Sequence, residues 1–181
     1  MLDKNTIRKQ MKQKRLALSE ETYAYKSLSC FQNIKKVLNQ IDYNSIGIYM
    51  SINQEMNTEM LLEYLWKTNK DVFIPKCEGD GIMHFYKISS KKDVSKGKFN
   101  ILEPNTNLMK DQLDVLIIPL TAINSKGYRL GMGGGYYDRF VLNNPCLKIG
   151  IGYEYQKEEF LEETHDLKLD YYITDSTITK Y

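Results

Sequence analysis

The pattern of apolar and polar positions alternates between helix-like and strand-like segments along the chain. Apolar residues recur at helical spacing in three early segments. They predict a basic helix over residues 4–18, a second helix that begins after Ser19 and ends near Asn39, and a third helix that Asn57 or Thr58 can cap. Another helix is predicted to follow a glycine-rich loop near residue 135.

Short continuous apolar runs between the helices have the character of buried strands. They are residues 45–50, 71–75, 82–88, 114–119, 148–153 and 170–174. The polar stretch 89–112 is expected to be a loop, and the acidic stretch 157–163 is expected to be helical. Because strands and helices alternate, the sequence predicts one α/β domain over residues 1–181, with a mostly parallel sheet flanked by helices.

Composition excludes several classes of protein. Of the 181 residues, 42% are hydrophobic and 27% are charged, which is typical of a folded domain and not of a disordered or fibrous chain. No apolar run approaches the ~18 residues that a membrane span needs. Three scattered cysteines outside any CxxC pair fit a reducing compartment. With no signal peptide recognised, the cytoplasm is the expected location, and no membrane partner is expected.

Charge is distributed unevenly. Residues 1–16 hold six Lys or Arg against one Asp, whereas the remaining chain holds 19 basic and 22 acidic residues. A basic N-terminal segment on a nearly neutral body indicates an anionic partner, either a nucleic acid or a small ligand that carries phosphate.

The most specific motif is a glycine-rich loop. Four of the five residues from Gly131 to Gly135 are glycine, and the loop stands between a predicted strand and a predicted helix. Such a loop lets backbone N–H groups approach an anion, and the following helix points its positive end to the same place. The loop does not end in the Lys-Ser/Thr pair of a P-loop, and Tyr136 stands where a dinucleotide fingerprint would have its third glycine.

Polar residues also follow several predicted strands, where open parallel sheets bind ligands. Glu55, Lys76, Glu154 and Asp175 lie at such positions. Asp138, in the first turn of the helix after the glycine loop, either complements the helix dipole or holds Mg²⁺ beside bound phosphates. Asp175 is the candidate second carboxylate of such a magnesium site.

Four stretches together resemble the 5-formyltetrahydrofolate cyclo-ligase family, also called 5,10-methenyltetrahydrofolate synthetases. They are Lys4-x-x-x-Arg8, the segment from Tyr49-Met50 through Glu55 to Thr58, the segment from Pro119 through the glycine loop to Arg139, and the C-terminal segment from His165-Asp166 to Thr174-Asp175. The glycine loop that runs into Tyr-Tyr-Asp is the specific part of the match. The resemblance implies a single α/β domain with a Rossmann-like sheet.

The resemblance also implies site residues and co-substrates, namely ATP, a reduced folate and Mg²⁺. The ATP contacts would come from Lys4, Asn5, Thr6, Ile7 and Arg8, and from Arg129, Leu130, Gly131, Met132, Gly133, Gly134, Gly135, Tyr136 and Tyr137. The folate contacts would come from Met50, Glu55, Met132, Gly133, Gly134, Gly135 and Tyr136. The magnesium carboxylates would be Asp138 and Asp175.

One departure from the family pattern concerns the catalytic cation. Some members carry basic residues inside the glycine loop, where this chain has Met132 and Gly134. Arg129 and Lys76 are therefore the candidate catalytic cations, with Lys4 and Arg8 as further sources of positive charge. In the implied reaction, the formyl oxygen attacks the γ-phosphate of ATP and the N10 amine then closes the ring.

Two alternatives stay open from the residues alone. Glu154, about 20 residues after the glycine loop, stands where a nicotinamide-dinucleotide-binding oxidoreductase would bind ribose. The basic N-terminal helix could instead serve a small RNA-binding module, although no RRM or KH signature is present. The cyclo-ligase hypothesis predicts small-molecule substrates, a reduced folate and ATP, and no nucleic-acid partner. It does not imply an oligomeric state.

Overall fold

A computed structural model describes residues 2–97 and 101–181. It contains four α-helices, α1 (Lys4–Leu16), α2 (Glu20–Leu38), α3 (Glu59–Leu65) and α4 (Tyr136–Asn143). Asp3 caps α1 by accepting the N–H groups of Asn5 and Thr6, and Ser19 caps α2 by accepting the N–H of Thr22. The four predicted helices before residue 145 are therefore present.

Seven strands of the described residues form the main sheet. They are β1 (Ser45–Ile48), β2 (Asp71–Gly79), β3 (Ile82–Ile88), β6 (Val115–Pro119), β9 (Leu147–Ile151), β10 (Tyr171–Ile173) and β11 (Ile178–Lys180). Their order across the sheet is β11-β10-β9-β6-β1-β2-β3. The five central strands run parallel, and the two edge strands pair antiparallel. This arrangement confirms the predicted mostly parallel α/β sheet.

Two small hairpins stand outside the main sheet. One pairs β4 (Val94–Lys96) with β5 (Leu102–Pro104), and the other pairs β7 (Ala122–Ile123) with β8 (Arg129–Leu130). The second hairpin leads directly into the glycine loop and α4, so it determines where that loop begins.

Apolar side chains cover both faces of the sheet. One cluster packs α2 and α3 against one face, with Ile34 and Leu65 at its centre. A second cluster packs α4 against the other face through Phe140, which lies 4.8 Å from Phe85 between ring centroids. A third cluster, which includes Ile7, seats α1 on the β7–β8 hairpin. The helix α1 is thereby held beside the glycine loop.

The structure corrects three expectations. Residues 157–163 form no helix; they run as an extended segment whose Phe160 packs under α1. Part of the stretch 89–112 forms β4 and β5, and residues 98–100 of that stretch lie outside the described residues. The antiparallel edge strand β11 was not predicted. Within the described ranges, no helix is long and apolar enough to span a bilayer.

Candidate active site

A cavity of about 740 Å³ opens at the carboxyl ends of the central strands β1 and β6. Tyr49 and Met50 line it directly after β1, and Pro119 lines it at the end of β6. The outer half of β2, residues Ile101–Glu103 around β5, and the glycine loop with the start of α4 supply the other walls. The size suits a cofactor-sized or drug-sized ligand, since such sites usually measure ~300–1,000 Å³.

The glycine loop forms one wall of this cavity. Gly133 has φ 101° and Gly135 has φ 66°, which are left-handed conformations that side-chain-bearing residues rarely adopt. Gly135 is also the N-cap of α4, so the loop ends at the positive end of that helix. Two arginines hold the loop through its carbonyls: Arg8 Nε donates to Gly131 O at 2.9 Å, and Arg139 Nη2 donates to Gly134 O at 2.5 Å.

Arg129 is a buried cation at the base of the loop. Its Nη2 donates to Asp138 Oδ2 at 2.9 Å, and its Nη1 donates to the carbonyl of Pro119 at 2.9 Å. The guanidinium lies over the ring of Tyr137, 5.3 Å from its centroid. Among the described residues, its Nε has no hydrogen-bond partner, and that atom is shielded from solvent. An unpaired buried donor is unfavourable, so the guanidinium depends on its bonds to Asp138 and Pro119.

Glu55 lines the cavity from a loop between β1 and α3. Its Oε2 accepts the N–H of Ile52 at 3.2 Å, and its Oε1 lies 3.5 Å from Nη1 of Arg15. Burial raises the pKa of Glu55, and the charge of Arg15 opposes that rise. The same cavity is therefore lined by a carboxylate, by the glycine loop and by buried Arg129.

Neighbouring phenols stay neutral near physiological pH. Burial raises the pKa of Tyr137 and of Tyr49, and the nearby Glu55 carboxylate raises both further. Both side chains line the cavity. They therefore present an uncharged surface between the carboxylate and the glycine loop.

Comparison with known proteins gives one consistent result. The family described as the 5-formyltetrahydrofolate cyclo-ligase family matches residues 1–175. The chain is 33% identical over 178 residues to 5-formyltetrahydrofolate cyclo-ligase of Mycoplasma pneumoniae, covering 96% of this chain and 99% of the relative. It is 32% identical over 146 residues to the Haemophilus influenzae enzyme of that name, covering 76% and 78% of the two chains.

Solved structures agree with these relatives. The fold matches 5,10-methenyltetrahydrofolate synthetase of Aquifex aeolicus with a TM-score of 0.87 and 29% identity, over 98% of this chain and 92% of that one. It matches a 5,10-methenyltetrahydrofolate synthetase of Mycoplasma pneumoniae with a TM-score of 0.82 and 31% identity, over 97% and 100% of the two chains.

The chain belongs to the 5-formyltetrahydrofolate cyclo-ligase family. It is therefore a member of a family of ligases, and the cavity described above is its candidate active site.

About half of the predicted site residues are found in the lining of this cavity. They are Met50, Glu55, Lys76, Arg129, Gly131 and Met132, with residues 134–137 of the glycine loop and α4. Lys76 also lies 6.0 Å from the ring centroid of Tyr86. The structure thus brings the predicted folate carboxylate, both predicted catalytic cations and most of the loop to one place.

Other predicted ATP contacts lie away from the cavity wall. Ile7 and Leu130 are buried together in the cluster under α1, so their side chains are core residues. Lys4 Nζ lies 2.7 Å from Asp166 Oδ2 and 3.4 Å from Glu163 Oε1, so carboxylates of the chain already neutralise it. The side chains of Asn5 and Thr6 belong to the first turn of α1, where the Thr6 hydroxyl donates to Asp3 at 2.5 Å.

Arg8 and Gly133 do not line the cavity themselves, but they are adjacent to loop residues that do. Arg8 holds the glycine loop through Gly131, and its guanidinium also donates to Asn5 Oδ1 at 2.8 Å. A side chain added at Gly133 would lie 3.8 Å from this guanidinium. Arg8 is therefore placed to set the shape of the loop.

The two predicted magnesium carboxylates have separate cationic partners. Both oxygens of Asp138 are engaged, Oδ2 by Arg129 and Oδ1 by the N–H of Leu167 at 3.2 Å. Asp175 Oδ2 accepts from Lys26 Nζ at 2.6 Å, and its Oδ1 is buried without a partner. Asp138 accepts one hydrogen bond at each oxygen, which leaves further lone pairs, whereas Asp175 has one oxygen with no hydrogen bond among the described residues. A shared magnesium site stays a prediction.

Sequence reasoning missed several residues of the cavity. Cys77 and Glu103 line it from β2 and β5. Glu103 lay in the stretch expected to be a loop, so no strand pattern indicated it. Arg15 was not among the predicted site residues, but it is buried and forms an ion pair with Glu55. Its position seven residues after Arg8, on the same side of α1, was the available signal.

Proposed function

We propose that this protein catalyses the ATP-dependent cyclisation of 5-formyltetrahydrofolate to 5,10-methenyltetrahydrofolate, with release of ADP and phosphate. The proposal rests on one observation. A single cavity is lined both by the Glu55 carboxylate and by a glycine loop at a helix N-terminus, in a chain that belongs to this family. The ATP would arrive as its magnesium complex. The cytoplasm remains the predicted location.

The folate would bind at the Glu55 end. A reduced pterin presents an amino group and a ring N–H side by side, and an ionised carboxylate accepts both. Met50 and Tyr49 supply apolar and aromatic walls beside this carboxylate. The pterin would thereby point its N5-formyl group along the cavity toward the glycine loop.

The nucleotide phosphates would bind at the glycine loop. Backbone N–H groups of the loop and the positive end of α4 attract anions, and Arg129 with Lys76 adds positive charge. Arg129 would act through its positive charge, since its two Nη atoms are held by Asp138 and by the carbonyl of Pro119. Because residues 131–135 include no basic residue, Arg129 and Lys76 are the candidate cations for the transferred phosphoryl group.

The reaction then follows from this arrangement. The formyl oxygen attacks the γ-phosphorus of ATP, a new O–P bond forms, and the bond from that phosphorus to the β-γ bridging oxygen breaks to release ADP. N10 then attacks the formyl carbon and loses its proton, and the C–O bond breaks to release inorganic phosphate. Phosphoryl transfer depends mainly on positioning and charge neutralisation, so the chain needs no nucleophilic side chain of its own.

The two alternative functions lose support from specific contacts. Glu154 is occupied by the hydroxyls of Thr174 and Thr177, at 2.9 and 2.8 Å, and by Lys157. It is not among the residues that line the cavity. Two of the six basic residues near the N-terminus are unavailable to a nucleic acid, because Lys4 is paired with carboxylates and Arg15 is buried.

A turnover assay tests the proposal. The purified protein with 5-formyltetrahydrofolate, ATP and Mg²⁺ should form the methenyl product, measured by its near-ultraviolet absorbance, with one ADP per product. NAD in place of ATP should give none. Product formed at the same rate without nucleotide would refute the proposal.

A further inference from the structure

We propose that Arg15 is a positioning residue for Glu55: from behind the cavity, it fixes the orientation and the negative charge of the carboxylate that receives the folate. This inference deepens the proposed function and rests on it for the identity of the ligand. The contact between the two residues does not depend on that identity.

The first support is the geometry of the pair. Arg15 lies in the last turn of α1, is only 5% exposed, and places Nη1 3.5 Å from Glu55 Oε1. Ile52 N–H holds the other carboxylate oxygen. The carboxylate is thus held at one oxygen by the backbone of its own loop and at the other by a distant helix.

The second support is the burial of the cation itself. The Nε of Arg15 is buried and has no hydrogen-bond partner within residues 2–97 and 101–181. A buried guanidinium with an unpaired donor is unfavourable unless a charge nearby compensates for it, and Glu55 is the carboxylate with which it forms an ion pair. Lys14, the preceding residue, is exposed. Charge at the end of α1 therefore does not by itself explain why Arg15 is buried.

The third support is the loop that carries Glu55. Asn53 has φ 49° and Gln54 has φ 57°, so two consecutive non-glycine residues are left-handed just before Glu55. Such residues persist where surrounding contacts enforce them, and they concentrate at functional sites. Here Tyr153 Oη donates to Gln54 O at 2.8 Å, and Tyr49 Oη donates to Met56 O at 2.8 Å. These contacts hold the loop, and with it the Glu55 side chain, in one orientation.

The surroundings of Glu55 leave Arg15 as the cation that acts on it. The ionisable groups that face it from the packed elements are Arg15 of α1, Tyr23 of α2, Tyr49 after β1 and Tyr137 of α4. The pKa of each of these phenols is raised, so all three are uncharged near neutral pH. Burial raises the pKa of Glu55, and Arg15 opposes that rise. Without Arg15, the carboxylate would protonate at a higher pH.

The experiment is a titration of the Glu55 carboxyl by ¹³C NMR of the full-length protein labelled at glutamate, with E55Q to assign the signal. In R15M, the titration midpoint should move to higher pH than in wild type. In the matched variant K14M, which removes an exposed charge from the same turn, the midpoint should not move. An unmoved midpoint in R15M would overturn the inference.

Kinetics give a second readout. The KM for 5-formyltetrahydrofolate should rise about tenfold or more in R15M at neutral pH, because a charge-assisted contact is lost. The KM for ATP should change little, and R15K should recover part of the folate affinity. Equal losses for both substrates, with no recovery in R15K, would indicate a general structural role and overturn the inference.

Folding of the variants is also informative. If R15M does not fold, the double variant R15M/E55Q is the test, because it leaves no buried charge without its partner. A folded double variant supports the coupling of Arg15 to Glu55, and an unfolded one contradicts it. If wild type fails to convert the folate, the proposed function fails while the NMR titration still decides the role of Arg15.

Discussion

Buried Arg129 and partly buried Asp138 form an ion pair that closes the base of the glycine loop, with 2.9 Å between Nη2 and Oδ2. Arg129 precedes the loop on β8, and Asp138 follows it in the first turn of α4. The pair therefore fixes both ends of the loop, and it also fixes the direction in which the unpaired Nε of Arg129 points.

Asp138→Asn should consequently lower kcat/KM by about 10- to 150-fold while the protein remains folded, because a charge-assisted hydrogen bond is worth about 1.5–3 kcal/mol. Asp71→Asn is the control, since Asp71 forms an exposed pair with Lys87 that contributes little. Wild-type kinetics in Asp138→Asn would contradict this role. A higher Mg²⁺ concentration for half-maximal rate would assign Asp138 to the metal as well.

Arg8→Ala should weaken ATP binding by about 10- to 150-fold, because Arg8 donates to the carbonyl of Gly131 and its charge stands beside the loop. Lys9→Ala removes an exposed charge from the same helix and should leave ATP affinity unchanged. Isothermal titration with ATP measures both. Equal ATP affinity in wild type and Arg8→Ala would show that the contact of Arg8 with the glycine loop does not contribute to ATP binding.

Tyr153→Phe should raise the KM for folate by about 2- to 12-fold, because it removes the neutral hydrogen bond that holds Gln54 in its left-handed conformation. The KM for ATP should not change. Tyr155→Phe is a closely matched control: its ring stacks on Tyr153 at 5.1 Å, but its buried hydroxyl has no partner. If both variants behave alike, the Tyr153 bond does not support the Glu55 loop.

Folate binding and the stability contributed by Glu55 should respond to pH in opposite directions. The folded protein raises the pKa of Glu55 above its unfolded value. Its contribution to stability is therefore full below the unfolded pKa and is lost as pH rises through the folded pKa. Binding needs the ionised carboxylate, so it should strengthen over that same pH rise. Folate affinity and the unfolding free-energy difference between wild type and E55Q, both measured against pH, test this; parallel trends would contradict it.

The sequence was informative wherever one element carries its own pattern. Helical periodicity and continuous apolar runs predicted α1 to α4 and the parallel strands, because those patterns repeat within a single segment. The edge strand β11 and the strands β4 and β5 have three residues each, like β10, but polar residues interrupt them, so they form no continuous apolar run. The acidic stretch 157–163 lacks a helical apolar stripe, and Phe160 anchors it as an extended segment.

About half of the predicted site residues line the cavity, but their pairing could not be predicted. Glu55 and the glycine loop could be predicted because strand ends and loop composition are local features. The partners Arg15 for Glu55 and Lys26 for Asp175 could not, because each pair joins segments far apart in the sequence. Such pairings depend on how α1 and α2 pack, which no local pattern reports.

The central claim is that ATP phosphorylates the formyl oxygen, and isotope transfer tests it most directly. 5-Formyltetrahydrofolate labelled with ¹⁸O in the formyl group is converted with unlabelled ATP, and the inorganic phosphate is analysed by mass spectrometry. The account predicts one ¹⁸O atom in each phosphate released. Unlabelled phosphate, with product formed at the usual rate, would contradict it.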